Sequence, residues 1–191
     1  YFFLLQVLKE VGLTKDDITI VNADPAAAAA AFESGNVDIA VSYAPYLPQT
    51  ARAVDDGRII YDSSKMPTAI IDLYLVDSTF IEENPAAVQA FVNGIFKGTQ
   101  FLLDNPEESL EIGSKELEVT PEELEADLKG VKIPTVEDNL KMLADPNSDV
   151  YLAQPLQELT EFLLAEGQIE SAPDDVVALL DPQFVQAYKP S

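Results

Sequence analysis

Ser42, Tyr43 and Tyr46 are the side chains whose types and spacing could do chemistry on something small. They follow a short apolar run, residues 37–41, broken only by Asp38, and a Pro, Pro45, stands among them. A hydroxyl can donate or accept one hydrogen bond, and two phenols can stack on a ligand or bond to its polar edge. In an open α/β sheet, ligands collect just beyond the carboxyl ends of the strands. The same residues would equally serve to finish a strand, so position alone leaves both readings open.

Other chemistry is excluded by composition. The 191-residue chain holds no Cys and no His. That removes disulfides, thiol catalysis, Cys/His zinc sites and histidine acid–base chemistry. No glycine-rich phosphate loop, dinucleotide fingerprint or Gly-x-Ser-x-Gly elbow occurs. The acidic pairs Asp16/Asp17, Asp55/Asp56 and Asp174/Asp175 lack the alternating ligands and central Gly of a calcium loop, and they read as turns and caps. The two arginines, Arg52 and Arg58, are not spaced as a bidentate anion clamp. The residues point away from an enzyme, and no cofactor or metal is expected.

A formal net charge of −23 sets the partners. Residues 1–67 hold nine Asp/Glu against five Lys/Arg, and residues 68–191 hold twenty-five against six, so the acid is concentrated in the second part. Such a field repels nucleic acid and anionic lipid and favours solubility. Anion binding is still open, because backbone amides at a helix N-terminus make a local positive site. Hydrophobic residues make up 47%, a globular composition, and no apolar run approaches the roughly 18 residues of a membrane-spanning helix.

The elements that must position the trio can be read in order. Residues 1–11 carry apolar residues at helical spacing, ended by Gly12, and residues 18–21 read as a short strand. Asp24 and Pro25 make a cap and first position for a helix through six alanines, Ala26 to Ala31, stopped at Gly35. The strand at 37–41 follows, so the order is helix, strand, helix, strand, which predicts parallel strands with crossover helices. Residues 48–54 form a helix candidate, 58–61 a strand, 62–67 a polar connection and 70–76 another strand.

Beyond that point the pattern is helical. Asn84-Pro85 opens a long amphipathic helix with Val88, Phe91, Val92, Ile95, Phe96 and Leu102 on one face. Asn105-Pro106-Glu107-Glu108 and Thr120-Pro121-Glu122-Glu123 repeat the start signal, and their glutamates read as helix-terminus and solvated residues. Residues 138–143, 152–165 and 173–180 are further helix candidates.

This order of segments resembles a known family. The matching residues are Phe3-Leu4-Leu5, Val11-Gly12-Leu13, Ala31-Phe32-Glu33-Ser34-Gly35-Asn36-Val37-Asp38-Ile39-Ala40, Tyr43-Ala44-Pro45, Ile59-Ile60-Tyr61-Asp62-Ser63-Ser64, Phe80-Ile81, Asn84-Pro85-Ala86-Ala87-Val88 and Asn105-Pro106-Glu107-Glu108. Together they resemble the solute-binding proteins of ABC importers for nitrate, sulfonate and taurine, near the thiamin-precursor-binding, NMT1/THI5-like branch. The resemblance implies an α/β, type II periplasmic-binding fold: two lobes that close on a ligand about a hinge.

Against that plan, residues 1–65 look like most of lobe two and 66–191 like the return into lobe one with its C-terminal helices. The first half of lobe one has no counterpart, so the chain reads as N-terminally truncated, with apolar sheet surface left uncovered. Residues 62–68 become a hinge candidate, and Met66 and Thr68 join Ser42, Tyr43 and Tyr46 as implied ligand-binding residues. The family often has Trp where this chain has Tyr43. Gly35 and Asp38 look architectural, with Asp38 satisfying nearby backbone amides.

The implied function is capture of a small solute outside the cytoplasm, in the periplasm or on a lipid anchor, and its delivery to a membrane permease. The whole protein would be monomeric, with no nucleic acid partner. Two other readings stay open: a thiamin-pyrimidine synthase of the same fold, whose consumed histidine and cysteine-rich motif this chain lacks, and a sensory ligand-binding domain.

Overall fold

Four of the α-helices described begin where a side chain accepts one of their first free amides. The computed structural model describes residues 1–190, and the chain divides into two units, the first Tyr1–Ile70 and the second from Ile71 onward.

In the first unit, α1 spans Phe2–Glu10, α2 Pro25–Glu33 and α3 Tyr46–Ala53. The predicted start of α2 is realised: the Asp24 carboxylate accepts the Ala27 N–H at 2.8 Å, with Pro25 in the first turn. Its stop is realised too. Gly35 takes φ +71°, and the Asn36 N–H reaches back to the Ala31 carbonyl at 2.9 Å. That left-handed cap is a conformation a side chain would strain. α3 begins two residues earlier than expected, at Tyr46, and packs on α2. The buried apolar residues of this unit are Leu8 of α1 and Ala29 of α2, and Thr50 of α3, also buried, donates from its hydroxyl to Glu33 at 3.0 Å. This bond joins α3 to the last residue of α2.

The second unit is built from α4 (Ser78–Glu83), α5 (Pro85–Asp104), α6 (Pro106–Glu116), α7 (Pro121–Leu128), α8 (Val136–Ala144), α9 (Ala153–Ala165) and α10 (Gln183–Gln186). Its core is Val88 and Phe96 of α5 with Leu152, Phe184 and Val185. Phe96 packs against Tyr188 with centroids 5.0 Å apart and rings tilted by 51°, and Gln89 of α5 donates to the Phe184 carbonyl at 2.9 Å. α6 and α7 approach so closely at Gly113 that an added Cβ would sit 2.9 Å from a Leu124 methyl. Phe91, expected on the inward face of α5, is exposed and stands edge-on to Tyr74.

The helix starts of the second unit are capped at some positions and not at others. Thr120 and Glu123 form the full reciprocal box, the Thr120 N–H donating to the carboxylate at 2.8 Å and the Glu123 N–H to the hydroxyl at 3.2 Å. Thr135 and Asp138 form another that starts α8 two residues before the expected position. Asn105, expected as a cap, instead turns back and donates to the Phe101 carbonyl at 3.2 Å. The helix expected at 173–180 is a single tight turn, Val176–Leu179, capped by Asp175.

The strands are where expectation and structure part. Among the described residues there is no strand and the chain is helix-rich, so the strands of the expected α/β arrangement are not formed among them. Residues 18–21, 37–41, 58–61 and 70–76 donate no backbone hydrogen bond among the described residues. A helix closes its bonds within itself, whereas a strand needs a neighbour about 4.8 Å away. Among the described residues these segments form no such ladder. Their apolar side chains are correspondingly uncovered: Val21, Ile39, Val41, Ile60 and Tyr74 are exposed, and Leu75 is 89% exposed. The expectation of uncovered apolar surface therefore holds.

Candidate ligand-binding site

The chain reaches the site along residues 37–41, turns through a cis Ala44–Pro45 peptide and enters α3 at Tyr46. Ser42 is half-buried, and its hydroxyl donates to the Pro25 carbonyl at 3.4 Å, a long contact that ties the tip to the first residue of α2. Its proton is committed there, and its lone pairs stay available to accept a bond. Tyr43 is 64% exposed, and Tyr46 is half-buried beside it. The two rings meet edge to face, centroids 6.4 Å apart at 70°, the arrangement that their quadrupoles favour. The Tyr43 carbonyl accepts the Leu47 N–H at 3.0 Å, so the first turn of α3 holds both tyrosines.

Met66 and Thr68 lie apart from this trio in the chain. Met66 closes the tight turn Ser63–Lys65, its N–H donating to the Ser63 carbonyl at 3.0 Å, and its own carbonyl accepts the Ala69 N–H. Both side chains are half-buried. No hydrogen bond or ring contact joins either residue to Ser42, Tyr43 or Tyr46 among the described residues. The geometry thus brings three of the five candidates together and leaves the other two on a separate turn.

That turn is firmly anchored within the first unit. Asp62 accepts both the N–H and the hydroxyl of Ser64, and these bonds hold its carboxyl below the usual range. Tyr61 donates its hydroxyl to the Glu10 carboxylate, packs against Phe3 with centroids 5.9 Å apart, and carries the Lys65 ammonium 4.8 Å above its ring. Donation to Glu10, with smaller contributions from desolvation and nearby carboxylates, pushes the phenol up to about 12.

A cavity of about 340 Å³ opens within the same unit and was not legible in the sequence. Phe32, Leu47 and Thr50 line it from α2 and α3, and residues 38–40 and 58–61 line it along its other sides. Asp38 is exposed and makes no hydrogen bond among the described residues, so it does not satisfy backbone amides as expected; it faces this cavity. Arg58 lines it together with Asp38 and Asp56, so the lining carries one positive and two negative side chains. The signal that could have found it is the pair of apolar segments, 37–41 and 58–61, flanking one helix.

Among the described residues no group of three or more His, Cys, Asp or Glu could hold a metal. No helix among them is long and apolar enough to cross a membrane.

A family model described as NMT1/THI5 like matches residues 2–109. The chain belongs to the NMT1/THI5-like family. It is also similar to the taurine-binding periplasmic protein of Escherichia coli (strain K12), 26% identical over 97% of this chain and 58% of that protein. Proteins of Brucella abortus (strain 2308) and Brucella suis biovar 1 (strain 1330), named only as binding proteins, are each 25% identical over 87% of this chain and 52% of their own length. The chain thus spans about half the length of the curated relatives it matches.

Within this NMT1/THI5-like chain the family match ends at residue 109, inside α6, so it covers the tyrosine tip, the anchored turn and α5. The more acidic helices that follow lie beyond it.

Proposed function

We propose that this chain is the ligand-contacting part of a solute-binding receptor for an ABC importer, and that it works without catalysing a reaction. The observation that carries the reading is the edge-to-face pair of exposed Tyr43 and half-buried Tyr46 at the tip leading into α3. An aromatic pair on a surface, steadied by the Ser42–Pro25 contact and the first turn of α3, offers a flat face and two phenols to a ligand. Family membership and relatives named as binding proteins support the rest.

In the whole protein the fold is the two-lobed, α/β, type II periplasmic-binding fold. Residues 1–65 are most of lobe two, and residues 66–191 return into lobe one. Ser42, Tyr43 and Tyr46 form one lip of the cleft, and Met66 and Thr68 line the hinge side. Contacts made only in the shut form drive closure. The ligand is a small solute of the sulfonate, nitrate or thiamin-precursor kind. Sulfonate comes first, because the relative named for taurine aligns over nearly the whole chain. The receptor acts outside the cytoplasmic membrane as a monomer and passes its solute to the permease.

A thermal-shift panel on the whole protein tests this. Taurine or another sulfonate raises the melting temperature by several degrees at saturating concentration. Tyr43→Ala weakens that binding about tenfold, or roughly 1.4 kcal/mol. An unchanged affinity in Tyr43→Ala removes the tyrosine tip from the site, and the absence of any shift across the panel removes the proposed solute class.

A further inference from the structure

A helix start attracts anions through its free amides, and the first turn of α3 has few of them. Pro45 and Pro48 carry no N–H, and the Leu47 and Gln49 amides are bonded to the Tyr43 and Pro45 carbonyls at 3.0 and 3.3 Å. In that turn the Tyr46 N–H alone is left uncommitted among the described residues. The amides of residues 42–44 do not gather into an anion nest, because no residue from Ser42 to Tyr46 has positive φ and Pro45 ends the run. Fixed positive charge is absent from this stretch too: residues 16–51 contain no Lys or Arg.

Acceptors are what the tip keeps. Pro48 stands four residues after Ala44, where a helical N–H would bond to the Ala44 carbonyl. That carbonyl accepts no backbone bond among the described residues, while its neighbours on Tyr43 and Pro45 are both filled, and Ala44 is exposed. The Ser42 hydroxyl commits its proton to the Pro25 carbonyl and presents its lone pairs. Tyr43, 64% exposed, adds an aromatic face that draws a cation. A free carbonyl, a hydroxyl that accepts and a ring face are together complementary to a positive group with several N–H donors, an ammonium.

We propose that the Ser42–Tyr46 tip receives the ammonium end of an amine-bearing solute and so selects, within the solute class proposed above, molecules that carry a positive amine. This rests on the tip being part of the ligand site. Ser42 and the Ala44 carbonyl accept from the ammonium, and the Tyr43 ring covers it. Pro48 is a positioning residue: by withholding an N–H it keeps the Ala44 carbonyl free.

Calorimetry on the whole protein with two matched pairs of probes is the test: taurine against ethanesulfonate, and β-alanine against propionate, each pair differing by one amine. At least one amine binds roughly tenfold or more tightly than its partner, because hydrogen bonds from a charged donor are the stronger kind. Pro48→Ala, which returns an N–H to the Ala44 carbonyl, and Ser42→Ala, which removes an acceptor, each cut that amine's affinity about fivefold. Equal affinity within both pairs overturns the proposal, as does failure of both amines to bind. An amine preference that survives both variants unchanged places the ammonium elsewhere and overturns it equally. Tyr43→Ala separates the two readings. Equal weakening of both members of a pair keeps the tip in the site and overturns this inference alone, whereas no change for either member removes the tip from the site and both readings with it.

Discussion

The helices and the apolar segments between them are made of similarly hydrophobic residues and end in opposite states. Phe96 of α5 is 6% exposed against Tyr188, and Leu75, a few residues before α4, is 89% exposed. The difference lies in where each backbone finds its partners. A helix needs only its own sequence, a cap at one end and a stop at the other. A strand needs a second segment, and residues 18–21, 37–41, 58–61 and 70–76 meet none among the described residues. In these segments apolar content alone does not bring burial.

Four measurements would break or sharpen that contrast. The largest effect belongs to Phe96→Ala. Removing a buried aromatic packed against Tyr188 costs about 3–5 kcal/mol in chemical denaturation. A loss under about 1 kcal/mol would mean that the second unit has no real core there. Next come the caps: Asp24→Ala and Thr120→Ala each cost about 1 kcal/mol, because each side chain holds an otherwise free amide. If both variants melt as the parent does, the helix starts are set by packing and not by capping.

Acid gives a smaller and directional effect. The Thr135 N–H, Lys132 ammonium and Thr135 hydroxyl bond to the Asp138 carboxylate and lower its pKa from 3.8 to about 2. A depressed carboxyl stabilises the fold fully above its unfolded value, and the contribution disappears as pH falls from about 4 through 2. Asp138→Asn removes this part of the acid sensitivity, which melting curves across that window will read. The smallest effect is predicted for Leu75→Ser, within about 0.5 kcal/mol of the parent. A clear destabilisation would show that the side chain is covered after all.

Legibility followed the same division. Asp24, Pro25, Gly35, Thr120 and Glu123 could be read because each acts within a few residues of itself. Asn105 misled because its amide had a competing acceptor, the Phe101 carbonyl one turn earlier. α4 was not foreseen as a helix, although Asp77 caps it by accepting the Phe80 N–H at 3.0 Å. The tyrosine tip was legible as chemistry by residue type, and the edge-to-face geometry was not, since it depends on how α3 begins. Tyr61 falls in an expected strand and in a family-matching segment, neither of which points to a partner. Its bond to Glu10, fifty-one residues away, is a tertiary fact that no local pattern carries.

Amide exchange along the 191-residue chain alone tests the central contrast most directly. The account predicts strong protection through the middle of α5 and near-random-coil exchange at residues 39–41, 58–61 and 70–76. Protection of those three segments comparable to that of α5 would mean that they pair within this chain, and would contradict it.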